Sequence, residues 1–359
     1  MGKKKRVNVG VIGSGAIAEL AHIPNYKKLD GVEVVALSDI NLSRAEKMAQ
    51  EFDVPRAYGD HRKMLKENDL DIVSVCTPNY AHCQPTIDAL RAGVNVICEK
   101  PIAMNAAEGK RMVDAAKRYR RMLTVALHFR FTAHAQTAKR YIESGKAGDV
   151  YFGKAVYLRR RGIPWWGQFH LKEKSGGGPL IDIGVHIMDL VMWLMGHPKP
   201  VSVTGKVYQK FGRKAATVYP NQTPTAKQRR EFDVEDFATG LVKFENGASM
   251  VVETSWAANV EKDAIDLSVL GDKAGICVAP PGATDGGLKI YTEMDGINVD
   301  VTPALPEKKS AYFGEIEHFV RCVRGETNVL VKPEEALSVQ KVIDAIYKSS
   351  ETGREIAIR

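Results

Sequence analysis

The chain has 359 residues, 44% hydrophobic and 26% charged, with a formal net charge of +8; it is too long for a single hydrophobic core, so two domains are expected, and no run of about 18 apolar residues is present to span a membrane. Five cysteines, Cys76, Cys83, Cys98, Cys277 and Cys322, form an odd set without a Cys-x-x-Cys pair, which argues against a secreted disulfide framework or a zinc ribbon and for buried free thiols in a reducing compartment. The basic clusters Lys3–Arg6, Arg118–Arg121, Arg159–Arg161 and Arg229–Arg230 lie far apart and no nucleic-acid motif accompanies them, so they read as solvated surface, or as a field for anionic ligands, and no nucleic-acid partner is expected.

In chain order, the basic start leads into Val7–Ile12, a β-branched run that reads as a strand and is too short for a signal-peptide core. A glycine turn and a helical stretch to about Leu29 follow. Val32–Leu37 is the next strand, Leu42–Phe52 a helix, Ile72–Cys76 a strand, Tyr80–Ala92 a helix and Val94–Cys98 a strand. Ala106–Tyr119 is helical and Met122–Leu127 a final strand. Continuous apolar strands alternating with helices predict a parallel sheet covered on both faces and doubly wound. After about residue 130 the rhythm changes. Thr132–Ser144 reads as a helix, then alternating strands dominate: Tyr151–Leu158, Val201–Tyr208, Phe237–Phe244, Ser249–Ser255 and Ala264–Leu270. One apolar helix, Leu180–Met195, interrupts them, and helices Phe313–Arg324 and Pro333–Ser350 close the chain. Residues 212–231 are polar and basic and read as an excursion or arm. The expected class is α/β: a doubly wound Rossmann domain over 1–128, and an α+β domain with a largely antiparallel sheet over 129–359, the C-terminal helix packing back on the first domain.

Gly13-Ser14-Gly15-Ala16-Ile17-Ala18 is a G-x-G-x-x-A sequence that follows a strand and opens a helix, the context that identifies a dinucleotide site. Gly13 permits the tight turn, Gly15 admits a pyrophosphate to the backbone, and Ala18 lets helix and strand approach. The helix N-terminus then faces the diphosphate. Asp39, at the end of the second strand, stands where an acid binds the ribose 2′-hydroxyl of NAD. A 2′-phosphate about 4 Å from that carboxylate would be repelled by roughly 4 kcal/mol at an effective dielectric of 20. NAD is therefore expected rather than NADP, with Arg44 close enough in sequence to soften the preference.

Thr77, Asn79 and His82 follow one strand, and Glu99-Lys100-Pro101 ends the next, both on the carboxyl edge where such sheets bind ligands. Lys100 reads either as a solvated lysine or as an amine reaching the nicotinamide, with Pro101 restricting its backbone. Gly176-Gly177-Gly178-Pro179 opens the apolar helix, where Asp182 and His186, four apart, share a face. They read as an acid fixing an imidazole for chemistry, as a helix-surface pair, or as a core histidine beside a carboxylate. No third ligand with metal-site spacing is visible, so no metal is expected. Asp189 reads as structural.

With these residues laid out, the chain resembles the Gfo/Idh/MocA family (glucose–fructose oxidoreductase, inositol dehydrogenase, rhizopine catabolism) over essentially its whole length. The anchors are the Gly13–Ala18 turn, Thr77-Pro78-Asn79 with His82, Glu99-Lys100-Pro101, Gly176 to His186 with Asp189 and Trp193, Phe313–Arg324, and Ile343–Ile358 with its Ser349/Gly353 pattern. The resemblance implies an open-faced sheet in the second domain used for homodimer or homotetramer contacts. It implies sugar, inositol or related polyol substrates, and catalytic roles for Lys100, Asp182 and His186. His128 departs from the asparagine often found two residues before Arg130; both positions are implied at the cofactor. Arg159, Trp165 and Trp166 fall in a stretch resembling a subgroup that acts on glycosides, anhydrosugars or inositols, which implies substrate contacts.

The expected activity is NAD-dependent oxidation of a secondary hydroxyl of a sugar, glycoside or inositol to a ketone, in the cytoplasm. His186 is the expected general base, Lys100 the stabiliser of charge on the reacting oxygen, and Asp182 the orienting acid. The alternatives are an NAD-dependent glycosidase-type hydrolase with no net NADH production, and a non-enzymatic dinucleotide-binding regulator.

Overall fold

A computed structural model describes residues 6–214, 223–279, 287–306 and 310–358. Lys3 to Lys5 of the basic start and residues 215–222 of the expected arm lie outside these. The described residues form two compact units. One contains the residues up to His128 together with Ser310–Leu337, and the other Phe129 onward with Ser338 to the end.

The first unit is built on β1 (Val7–Ile12), β2 (Val32–Ser38), β3 (Ala57–Tyr58), β4 (Ile72–Val75), β5 (Asn95–Glu99) and β6 (Leu123–Ala126). Their order is β3-β2-β1-β4-β5-β6 and every pairing is parallel. That is the dinucleotide-binding order, and the winding reverses between β1 and β4, where such folds take their ligand. Val7, Val9, Val11, Ile72 and Ile97 are buried here with Ile316 and Phe319 of the helix Ala311–Val323, each worth about 1.5–3 kcal/mol against exposure. β3 and the helix His61–Glu67 escape a reading by periodicity: one is two residues long, and the other buries only Met64.

The second unit carries β7 (Val150–Leu158), β8 (Pro200–Tyr208), β9 (Phe237–Phe244), β10 (Ser249–Ser255), β11 (Ala264–Gly271), β12 (Ala274–Val278), β13 (Leu288–Met294), β14 (Ile297–Val301) and β15 (Ile356–Ala357). They form one nine-stranded sheet in the order β14-β13-β12-β11-β7-β10-β9-β8-β15. Only β7 and β10 run parallel; every other pair is antiparallel. The wholly buried helix Gly184–Leu194 covers one face. Gly153 of β7 makes room for it: a Cβ there would come within 2.6 Å of Val191 and Met195. On the other face Leu241, Leu270 and Tyr291 are exposed, Leu270 and Tyr291 in one cross-strand row through Gly275 and Leu241 two residues off that row. The sheet is thus covered on one side and open on the other.

The Ser349/Gly353 pattern has a local cause. Ser349 accepts from the Gly205 N–H of β8 at 2.9 Å and donates to the Arg354 carbonyl at 2.7 Å, and Gly353 (φ +67) turns the chain into β15. No single described helix is long and apolar enough to cross a membrane.

Candidate active site

The glycine turn sits at the point where the sheet reverses. Gly13 has φ +97, and a Cβ on it would lie 2.7 Å from the Cys76 carbonyl. Only glycine therefore allows the end of β1 to pass the end of β4 so closely. Over Gly15, by contrast, a Cβ would meet nothing within 4 Å. Ser14, Gly15, Ala16, Glu19, Arg44, Lys47, Met48 and Glu51 line a concavity of about 320 Å³ there. Open space above a glycine turn at a helix start fits a dinucleotide diphosphate, with Arg44 and Lys47 on the wall alongside Glu19 and Glu51.

Asp39 is tied to this turn. Its Oδ2 accepts from the Ser14 N–H at 2.9 Å, its Oδ1 from the Asn41 N–H at 2.8 Å, and the Arg44 guanidinium stands 4.0 Å away. Asn41 caps the helix Leu42–Glu51, which places Arg44 in the first turn beside the carboxylate. One backbone donor of the turn is thus committed to Asp39 itself. Ile17 is half-buried against the core.

The strand-end segments are braced together. His82 is buried, with Nδ1 2.8 Å from the Pro101 carbonyl and Nε2 2.8 Å from the Thr77 carbonyl. Burial holds its pKa below the ordinary value, against the pull of those carbonyls. His82 therefore ties Thr77 to Pro101, while Thr77 Oγ1 donates to the Ala81 carbonyl at 2.9 Å and Asn79 opens a short helical turn. The Lys100–Pro101 bond is cis and Lys100 is half-buried.

Glu99 faces inward. Its Oε1 lies 2.9 Å from Nε2 of His22, and its Oε2 accepts from the Lys100 N–H at 3.2 Å. Burial alone would push this carboxyl up; the His22 hydrogen bond, with the electrostatic influence of His22, Lys100 and His128, outweighs it and holds the pKa low. His128, stacked on Tyr312 at 4.1 Å, is pushed down to about 4 by burial, with Glu99 opposing and Lys100 assisting.

In the second unit the expected continuous helix Leu180–Met195 is interrupted. Asp182 ends the segment Pro179–Asp182 and His186 lies in Gly184–Leu194, with Ile183 between them and a bend of 44° between the stretch Lys172–Asp182 and Gly184–Leu194. Gly184 sits at the junction, where its backbone freedom weakens helix continuity. Asp182 and His186 are therefore not successive turns of one straight helix. Asp182 Oδ2 accepts from the buried Trp256 indole at 3.0 Å. His186, also buried, stacks on Phe129 at 4.8 Å.

The glycines before Pro179 admit protein groups. A Cβ on Gly177 would overlap the Tyr347 hydroxyl, and one on Gly178 the Glu235 carbonyl. The Glu235 carboxylate accepts from Gly178 N (2.9 Å), Leu180 N (3.1 Å) and Tyr347 Oη (2.9 Å). Glu235 therefore caps the turn that carries Asp182.

Arg130, expected at the cofactor, is paired within the second unit. Its guanidinium has no exposure, donates to both Asp189 oxygens (2.8 and 2.6 Å) and lies over Trp193. A buried bidentate pair of this kind is a packing device. Trp165 is buried with Ile163, Phe232 and Trp256, whereas Trp166 is 54% exposed. Arg159 lies over Tyr157 and donates to the Gly162 carbonyl at 3.2 Å. Among the described residues no group of three His, Cys, Asp or Glu is placed to hold a metal.

Comparison with known proteins agrees with this architecture. Residues 7–127 match the oxidoreductase family's NAD-binding Rossmann fold and residues 139–358 its C-terminal alpha/beta domain. The chain belongs to the Gfo/Idh/MocA oxidoreductase family. It is an oxidoreductase with an NAD-binding Rossmann domain, as the glycine turn led one to expect. It is 33% identical to the D-glucoside 3-dehydrogenase of Escherichia coli K12 over 354 residues, 98% of this chain and 97% of that protein. It is 28% identical to the levoglucosan dehydrogenase of Pseudarthrobacter phenanthrenivorans over 293 residues, 76% of this chain and 73% of that one. A levoglucosan dehydrogenase solved with NADH shares the fold, with a TM-score of 0.83 at 24% identity over 99% of this chain and 100% of the other.

Sequence reasoning did not single out His22, which bonds to Glu99 in the first unit, nor Trp256, Glu235 and Tyr347, which hold Asp182 and the turn before it in the second. The three successive glycines signalled a close approach, though not to what. His22 follows the glycine turn closely, and nothing in local periodicity separates it from other helix residues.

Proposed function

We propose that the chain is an NAD-dependent dehydrogenase that oxidises a secondary hydroxyl of a glucoside or related sugar to a ketone. The carrying observation is its whole-length likeness to the D-glucoside 3-dehydrogenase. The polyol class, inositols included, rests on the family alone. Bound NAD supplies hydride acceptance at the carbinol carbon. The His186 imidazole takes the hydroxyl proton as general base, Lys100 hydrogen-bonds the oxygen as negative charge develops, and Asp182 orients His186 or a neighbouring substrate hydroxyl. Asp39 takes the adenosine ribose hydroxyls and favours NAD over NADP. Arg159 and the exposed Trp166 contact the sugar; Trp165 serves by packing behind them. A cytoplasmic homo-oligomer paired through the open face at Leu241, Leu270 and Tyr291 completes the reading.

The test is a panel of methyl glucosides, anhydrosugars, free sugars and inositols with NAD and with NADP, read by absorbance of the reduced cofactor. Net NADH with one or more glycosides is the expected result. No reduction across the panel removes the dehydrogenase, and glycoside cleavage without net NADH makes the chain a hydrolase that recycles its cofactor.

A further inference from the structure

Behind Lys100 the first unit contains a buried series of side chains that the proposed reaction does not use. Tyr26 Oη lies 2.9 Å from Ser74 Oγ, Ser74 Oγ 3.1 Å from His22 Nδ1, and His22 Nε2 2.9 Å from Glu99 Oε1. Tyr26 and Ser74 have no exposure and His22 has 1%. We infer that His22 is a positioning residue for the reaction: held from behind by Ser74 and Tyr26, it fixes the Glu99 carboxylate whose other oxygen holds the Lys100 backbone, and so sets where the Lys100 amine stands. The inference rests on the proposed role of Lys100.

The polarity of the series supports it. A carboxylate can only accept, so His22 Nε2 carries the proton and donates. In the neutral imidazole Nδ1 then accepts from the Ser74 hydroxyl, and Ser74 in turn accepts from the Tyr26 phenol. Burial pushes the Tyr26 pKa far up, which keeps that first proton in place. Each group donates once and no donor is left over. The series has a fixed direction and ends on one atom, Glu99 Oε1.

The placement needs three separate elements. His22 lies on the wide π-helical turn Ala18–His22 that follows the glycine turn, Tyr26 lies on the next helix, and Ser74 is a polar residue inside the otherwise apolar β4. A buried serine in a central strand costs stability unless it is hydrogen-bonded. Here its two partners are Tyr26 and His22.

Besides His22, the groups facing Glu99 are Lys100, the buried imidazoles His82 and His128, both pushed down by burial, and Tyr312, Cys76 and Cys98, all pushed up by burial. Of these, Lys100 is the neighbour of Glu99 in the chain, and its charge helps hold the carboxyl low. Without His22 the buried carboxyl loses the largest influence that lowers its pKa.

The test measures kcat and KM against pH for the intact enzyme, His22→Ala, His22→Gln, Ser74→Ala and Lys100→Ala, using NAD and methyl glucoside. In His22→Ala kcat is expected to fall roughly ten- to a hundredfold, with KM for NAD nearly unchanged. Its acid limb moves to higher pH, because Glu99 takes up a proton earlier. His22→Gln, whose amide supplies a replacement donor, recovers most of the activity and the original limb. Ser74→Ala moves the limb the same way by less, and decides the matter if His22→Ala does not fold. An unmoved acid limb in the folded variants beside an inactive Lys100→Ala overturns the inference and leaves the functional reading standing. Full activity in Lys100→Ala, or no turnover by the intact enzyme, overturns both.

Discussion

The Trp256 indole donates to Asp182 across 3.0 Å, which makes a residue of the sheet unit's aromatic cluster the partner of an acid expected at the reaction centre. Trp256→Phe keeps the ring's bulk and removes the donor. The buried Asp182 carboxylate then loses a hydrogen bond worth about 1–3 kcal/mol to a charged group. Denaturant unfolding should show that loss, and kcat should drop while KM for NAD holds. A full kcat with lowered stability would confine Trp256 to packing.

Removing the proposed base has a larger effect. General base catalysis contributes about 10²–10⁴-fold, so His186→Ala should lose that much in kcat with NAD still bound, as followed by a fluorescence titration. Chemistry must be shown to limit the rate, by a deuterium isotope effect at the carbinol carbon. An unchanged kcat under that condition removes His186 from the mechanism.

The proposed preference for NAD rests on Asp39, held by the Ser14 and Asn41 amides with Arg44 4.0 Å away. Asp39→Ser removes the charge that repels a 2′-phosphate and leaves Arg44 and Lys47 to attract it. The ratio of kcat/KM for NADP to that for NAD should rise on the order of a hundredfold or more. Equal use of both cofactors by the unaltered enzyme would refute the role given to Asp39.

Close packing around Glu235 predicts an asymmetry between adjacent glycines. Gly177→Ala places a methyl on the Tyr347 hydroxyl, and Gly178→Ala places one on the Glu235 backbone carbonyl. Tyr347→Phe should partly restore the melting temperature of the first variant and leave the second as unstable as before. Equal rescue of both would contradict this geometry of the turn.

His128 predicts a pH dependence of stability. Its pKa is near 6.5 unfolded and about 4 folded, so between those values the unfolded chain binds the extra proton. Its contribution is full above pH 6.5 and is lost as pH falls toward 4, by roughly 3 kcal/mol in all. His128→Asn should be flatter than the parent in unfolding free energy between pH 7 and pH 4.5. Parallel curves would show that burial of His128 does not carry this slope.

What could be read from the sequence was what is local. Gly13, Gly15 and Asp39 stand at a strand end and a turn, where backbone geometry leaves little choice of residue. Lys100 precedes a proline on the same sheet edge. The break at Ile183 was invisible because the helix Gly184–Leu194 is buried all round, so its apolar run has no period to interrupt. β13 and β14 carry exposed residues in much of their length, and they resemble loops until register is known. The side chains of His22, Glu235, Trp256 and Tyr347 bond to residues 52 to 112 positions away, and no nearby pattern announces them.

β7 bonds only to β10 and β11, and both begin at Ser249 or later. A ribosome adding about 5–20 residues per second leaves that strand with two bare backbone edges for roughly 5–20 seconds before a rightful neighbour emerges. During that interval a neighbouring nascent copy is the nearest template. Slower or cooler expression, which thins the crowd of half-made chains, should therefore raise the yield of native protein more than any change to its finished surface.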